Sequence, residues 1–143
     1  MAHSSGELSL PAALAESLLE HARSELPNEA CGLLAGSLAT GRATRYHPAR
    51  NAEASAYVYS VHPDDLVRII FAIDDAGEDL LAIFHSHTHT PAVPSPTDLR
   101  NAHYPDAFYR LATLEVPGAS LADSLRAWRI RGGVIVEVPL RLE

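Results

Sequence analysis

Residues Leu80–Asp98 read LLAIFHSHTHTPAVPSPTD, and the order of residue types in this stretch decides how the chain is laid out. The apolar run Leu80, Leu81, Ala82, Ile83 and Phe84 reads as a strand buried on both faces. Side chains two residues apart on a strand point the same way, so His85 and His87 at its end share one side. Pro91, Pro94 and Pro96 cannot donate to a ladder, which forces a loop. Ser95-Pro96 then has the form of a helix start, an N-cap followed by proline in the first turn, and Asp98 falls in that first turn. The chain thereby brings a carboxylate back towards two imidazoles.

Two neutral nitrogens and one carboxylate are a ligand set suited to zinc, and three protein ligands on a tetrahedral ion leave one position open for water, the arrangement of a catalytic site. Helix-start chemistry alone accounts for Ser95 as N-cap and Asp98 as an acid at the third helical position, but it does not account for the histidines. His89 extends the same alternation and offers a second pairing with His87. His85 with His87 is preferred because His85 is anchored by the strand, whereas His89 stands next to the prolines. A closed structural site would need a fourth protein ligand, for which His89 and Cys31 are the first candidates; Cys31 is otherwise a small buried residue. The remaining histidines, His3, His21, His47, His62 and His103, have no spacing that ties them to a site.

The 143 residues, 47% hydrophobic and 20% charged, fit one globular domain spanning 1–143 with a sizeable core. No window approaches the ~18 consecutive apolar residues of a membrane span, and MAHSSGELSL lacks a basic segment before an apolar core, so no membrane role and no export are expected. The single cysteine forbids an intrachain disulfide and is compatible with a cytoplasmic protein. A net charge of -7 with scattered arginines argues against a nucleic-acid partner.

In chain order, Pro11 to Leu26 has helical spacing at Leu14, Leu18, Leu19 and Ala22. After PNEA comes CGLLAGSL, Cys31 to Leu38, a buried strand; Glu29 stands just before it and by position alone reads as a solvated charge. Gly41 begins a turn before a short strand, Ala43 to Tyr46. The loop HPARNAEAS follows, then Tyr57 to Val61, YVYSV, with strong strand character. His62-Pro63-Asp64-Asp65 leads into a helix carrying Leu66, Ile69, Ile70 and Ile73 that ends near Ala76-Gly77. Beyond the histidine-bearing strand, a helix from Pro96 to about Ala102, a strand from Phe108 to Leu114, a turn at Pro117-Gly118, and a hairpin of LRAWRI and VIVEVPL about Arg131-Gly132-Gly133 are expected. Trp128 reads as a core or sheet-face residue.

Taken together the residues resemble the JAMM (MPN+) zinc metallopeptidases, in a small bacterial form similar to the sulfur-carrier-protein cysteine peptidases. The family pattern is an upstream glutamate, then HxH, seven residues, Ser, two residues and Asp, and it falls on Glu29, His85, His87, Ser95 and Asp98. PNEACGLLAG around Glu29, the loop at Asn51 before YVYS, and the helix after His62-Pro63 also resemble the family, so the likeness covers about residues 8–140. It implies an α/β, single-domain, cytidine-deaminase-like MPN fold in which a curved mixed β-sheet is flanked by helices. It further implies Zn2+ held by His85, His87 and Asp98, with Glu29 as general acid and base and Ser95 as oxyanion donor. The implied substrate is the C-terminal tail of a small ubiquitin-like sulfur-carrier protein, cut after its last glycine to release cysteine, as a step of cysteine biosynthesis. Cleavage of ubiquitin-like modifier conjugates is the alternative activity, and a non-catalytic MPN binding scaffold the alternative class. A homodimer is compatible with the resemblance.

Overall fold

In the computed structural model, which describes residues 6–116 and 118–143, the chain runs through β1 (Leu8–Leu10), α1 (Ala12–Ser24), β2 (Cys31–Ser37), β3 (Arg42–Ala49), α2 (Pro63–Asp75), β4 (Asp79–His87), α3 (Pro96–Arg100), β5 (Phe108–Thr113), α4 (Leu121–Ser124), β6 (Leu125–Arg131), β7 (Val134–Val138) and β8 (Leu140–Leu142). The strands form one mixed sheet in the order β7-β6-β5-β4-β2-β3-β1-β8. Its two edge strands, β7 and β8, are consecutive in the chain and separated only by Pro139. The sheet therefore curls until its opposite edges share a corner, giving a nearly barrel-like α/β fold. Pro139 makes that corner: it has no amide to continue the ladder, and its carbonyl accepts from Leu8 N at 3.0 Å.

The histidine-bearing strand lies inside this sheet. β4 pairs antiparallel with β2 on one side (Cys31↔His85) and parallel with β5 on the other (His85↔Leu111, His87↔Thr113). Its apolar run alternates between two cores, as a strand covered on both faces must. Phe84 joins Leu18, Leu19, Leu34 and Phe108 beneath α1. Ile83 joins Leu33, Ile69, Ile73 and Leu111 on the side of α2. The first of these is where α1 buries Ala15, Leu18, Leu19 and Ala22, so the helical spacing read between Pro11 and Leu26 holds, with Pro11 as the N-cap. β2 can lie close to β3 because Gly32 has no side chain: a Cβ there would collide with the Tyr46 ring and the His47 carbonyl.

The hairpin about Arg131-Gly132-Gly133 is present. Arg131 faces Val134 across a two-residue turn whose glycines have φ of 56° and 78°, the left-handed pair that a type I′ turn requires. VIVEVPL divides at Pro139 into β7 and β8, and β1 and α4 are short elements without a sequence signal of their own. The turn expected at Pro117-Gly118 and residue His3 fall wholly or partly outside the described residues.

YVYSV is not a strand. Only Val61 forms an isolated bridge, with Asn51. The amide of Asn51 outcompetes ladder formation by donating to the carbonyls of Glu29 and Val58, both at 3.1 Å, and accepting from the amides of Glu53 and Ser60, both at 3.0 Å. Those four bonds are the full capacity of an asparagine side chain. The base of the loop is clamped by Asp65, on α2, which accepts from Arg50 N at 2.8 Å and from the Arg50 guanidinium at 3.0 Å through each of its oxygens. The hydrogen bonds from Arg50 hold the Asp65 carboxyl well below the usual carboxylate range.

A carboxyl whose pKa is depressed on folding stabilises the fold above its unfolded value, about 3.9, and loses that contribution as pH falls from there towards the folded value. Asp65→Asn is therefore expected to lower the melting temperature at pH 7 and to converge with the wild type as the pH is taken well below 4. Thermal melts of both proteins across that range check it, and a difference that stays constant with pH rules the linkage out.

Candidate metal centre

The end of β4 presents His85 and His87 on the face occupied by Ile83, and both are buried. Asp98 reaches them from α3, whose start is built as a reciprocal capping box: Ser95 Oγ accepts from Asp98 N at 3.1 Å and Asp98 Oδ2 accepts from Ser95 N at 2.9 Å. The connecting loop is pinned by side chains from neighbouring strands. Trp128 Nε1 donates to the Ala92 carbonyl at 3.0 Å, and Thr113 Oγ1 donates to the Thr90 carbonyl at 2.7 Å. Trp128 is thus buried on the sheet, as its sequence context suggested, and also sets the path that returns Asp98 to the histidines.

His85 Nε2 lies 3.1 Å from Asp98 Oδ1, and His87 Nε2 lies 3.0 Å from Asp98 Oδ2. Donor atoms of all three residues fall within 4.8 Å of one another. Ligand atoms about 2.0–2.1 Å from a tetrahedral zinc ion are about 3.3 Å apart, so this set fits such an ion with little adjustment. The contact between His85 and Asp98 supports the same fit: close as it is, the buried His85 Nε2 makes no hydrogen bond with the described residues. His87 Nδ1 donates to the Pro91 carbonyl at 2.8 Å, which turns Nε2 of that ring to the centre.

The charges are arranged accordingly. Burial works to raise the Asp98 pKa, but the adjoining His85 and His87 imidazoles overcome it and keep the group ionised. Burial lowers the pKa of His85 against the pull of Asp98. It also acts to lower that of His87, where bonding to Asp98 and Pro91 and the charge of Glu29 prevail and raise it. Glu29 is buried, its Oε1 has no hydrogen-bond partner among the described residues, and it lies within electrostatic reach of His87 and Asp98. Burial, with a further contribution from Asp98, pushes its carboxyl up to about 7.

Glu29 is not the solvated charge that its position alone suggested. Its segment is stitched to β4 by Ser86, the residue between the two histidines: Ala30 N donates to Ser86 Oγ at 2.9 Å, and Ser86 N donates to the Ala30 carbonyl at 3.0 Å. On the other side Glu29 N donates to the Ser55 carbonyl at 2.7 Å. Sequence reasoning did not single out Ser86, although a fully buried serine inside an HxH is a signal of such a bond. It also missed Tyr59, whose ring stacks on His85 with centroids 4.1 Å apart.

Other candidate ligands stand apart. His89 is exposed, and neither it nor Cys31 joins the cluster of three. The Cys31 thiol is buried against the Arg50 carbonyl, with burial pushing its pKa up to about 12. His21 bonds to Tyr46 Oη, and His62 caps α2.

The family described as prokaryotic homologs of the JAB domain matches residues 11–131. This chain belongs to it. The JAB chain is 38% identical over 135 residues to the CysO-cysteine peptidase of Mycobacterium tuberculosis, which covers 94% of this chain and 90% of that protein. It is also 38% identical over 114 residues to the desampylase of Haloferax volcanii, covering 76% of this chain and 82% of that one. Among solved structures, protein DSY2949 from Desulfitobacterium hafniense superimposes with a TM-score of 0.85 at 31% identity, covering 95% of this chain and 92% of that one.

The link between Ser86 and Ala30 is open to direct test. Ser86→Ala leaves a buried amide without its acceptor and is expected to cost about 1–3 kcal/mol of stability. Denaturant unfolding measures that cost, and hydrogen exchange at the Ala30 amide should accelerate; unchanged protection there disproves the link.

Proposed function

We propose that this JAB-family chain is a zinc metallopeptidase that hydrolyses the amide bond after the C-terminal glycine of a ubiquitin-like sulfur-carrier protein and releases cysteine. The observation that carries the reading is the convergence of two imidazole nitrogens and one carboxylate within electrostatic reach of a second, buried carboxylate whose Oε1 has no hydrogen-bond partner among the described residues. In this reading His85, His87 and Asp98 hold the ion. When bound, zinc would polarise the scissile carbonyl and lower the pKa of a coordinated water from 15.7 to about 7. Glu29 accepts a proton from the attacking water and returns it to the departing amine, the task of a general base and then acid. Ser95 Oγ uses a lone pair on Asp98 N and so keeps its own O–H for the oxyanion that develops on the substrate.

The choice of substrate is supported by the likeness to the mycobacterial CysO-cysteine peptidase, which extends over nearly the whole of both chains. A second reading, cleavage of ubiquitin-like modifiers from protein conjugates, draws support from the equal identity to the desampylase over a shorter span. Mass spectrometry of the zinc-loaded protein with a carrier extended by one cysteine, and separately with a carrier joined to a lysine side chain, separates them. Trimming of the first alone is the expected result. Cleavage of the second alone replaces the first reading with the second, and cleavage of neither rejects both.

Glu29→Gln is expected to lower turnover about 10²- to 10⁴-fold while zinc content is retained. Wild-type turnover in a zinc-loaded variant removes Glu29 from the chemistry. Ser95→Ala is expected to lower kcat by the equivalent of about 2.7–4 kcal/mol if its hydroxyl serves the oxyanion. Loss of the cap alone costs about 0.5–2 kcal/mol of folding stability. Kinetics and a melting curve on the same preparation distinguish the two roles, and a lower melting temperature with unchanged kcat reduces Ser95 to a cap.

A further inference from the structure

The two histidines at the centre are oriented by different means. His87 has the outer hydrogen bond, Nδ1 to the Pro91 carbonyl, that commonly fixes a metal-binding imidazole. His85 is 1% exposed, has Nε2 turned towards Asp98, and makes no hydrogen bond through its buried Nδ1 with any described residue. What it has in place of that bond is an aromatic ring. Tyr59 lies over the imidazole with centroids 4.1 Å apart and planes inclined by 16°.

We propose that Tyr59 is a positioning residue of the metal centre, its phenol ring clamping the His85 imidazole by stacking where the outer hydrogen bond is missing. A near-parallel contact this close leaves the imidazole no room to rotate about its bond to the strand without striking the phenol. The clamp is itself rigid, because Asn51 holds the residues on both sides of Tyr59, through the Val58 carbonyl and the Ser60 amide. Thr88 Oγ1, just beyond His87, donates to the Ala56 carbonyl at 3.1 Å and ties the same loop to the end of β4. The Tyr59 hydroxyl makes no hydrogen bond with the described residues, so the ring is the part that acts. Tyr59 also lines a cavity of about 430 Å³ together with Leu33, Val61, Leu66 and Tyr109.

The inference rests on the zinc reading above, and the experiment separates the two. Zinc affinity is measured by competition with a chromophoric chelator, metal geometry by the visible absorption of the cobalt(II) form, and stability by melting of the metal-free protein. The proteins compared are the wild type, Tyr59→Phe, Tyr59→Leu and Leu66→Ala. Tyr59→Phe is expected to keep the wild-type affinity and cobalt spectrum. Tyr59→Leu is expected to bind zinc about 10- to 100-fold more weakly, the usual loss when an outer support of a ligand is removed, with an altered cobalt spectrum. Leu66→Ala, a truncation in the same cavity, lowers stability without weakening metal. If Tyr59→Leu does not fold, Tyr59→Met takes its place in the comparison. Wild-type affinity and spectrum in the variant without the ring overturn the proposal. So does equal weakening in Tyr59→Phe, which would assign the effect to the hydroxyl, or in Leu66→Ala, which would assign it to general destabilisation. A wild-type protein that binds no zinc overturns the zinc reading and this inference with it.

Discussion

The centre depends on the register that β4 keeps with β2 as far as His85 and with β5 as far as His87. Because side chains alternate along a strand, a slip of one position would turn His85 and His87 away from Asp98 and put Ser86 in their place. Pairing with β2 on one side and β5 on the other resists such a slip, and the two bonds between Ser86 and Ala30 extend that pairing past the first histidine. The same two bonds hold the backbone next to Glu29. Spacing along β4 and placement of the upstream carboxylate are thus one constraint.

Several groups near the centre serve two purposes. Asp98 Oδ2 accepts the Ser95 amide as part of a helix cap and faces His87 Nε2 at the same time. The cap thereby aims the carboxylate, so the helix start also sets the group that faces the histidines. Asn51 behaves similarly: it saturates its amide on four backbone groups, one belonging to Glu29 and the other three to the loop that carries Tyr59. The Arg50 and Asp65 pair closes that loop at its base against α2. Beside the centre lies a short loop held by these polar bonds and by the packing of Tyr59 and Val61 against the core on the side of α2.

Much of the architecture was legible in residue order. The apolar run before His85, the helical spacing of Leu18, Leu19 and Ala22, the paired glycines at 132 and 133, and the Ser95-Pro96 helix start each carry a local signal, and each element is present. The failure at YVYSV is instructive, because β-propensity there is genuine. It was overridden by an asparagine whose partners lie across a loop and by an aromatic ring drawn to an imidazole, and neither leaves a period in the sequence. The short strand β1 left no signal for a related reason: its partners, β3 and β8, lie far along the chain.

The sequence by itself determined that two histidines share one side of a strand and that a proline-rich loop must carry Asp98 back towards them through a helix cap. These follow from covalent geometry and from rules that act over a few residues. Tertiary structure alone decided that Glu29 is buried beside the histidines and that Tyr59 lies on His85. Both depend on neighbours supplied by strand pairing and loop closure between segments remote in the chain, and such contacts exist only once the sheet has formed.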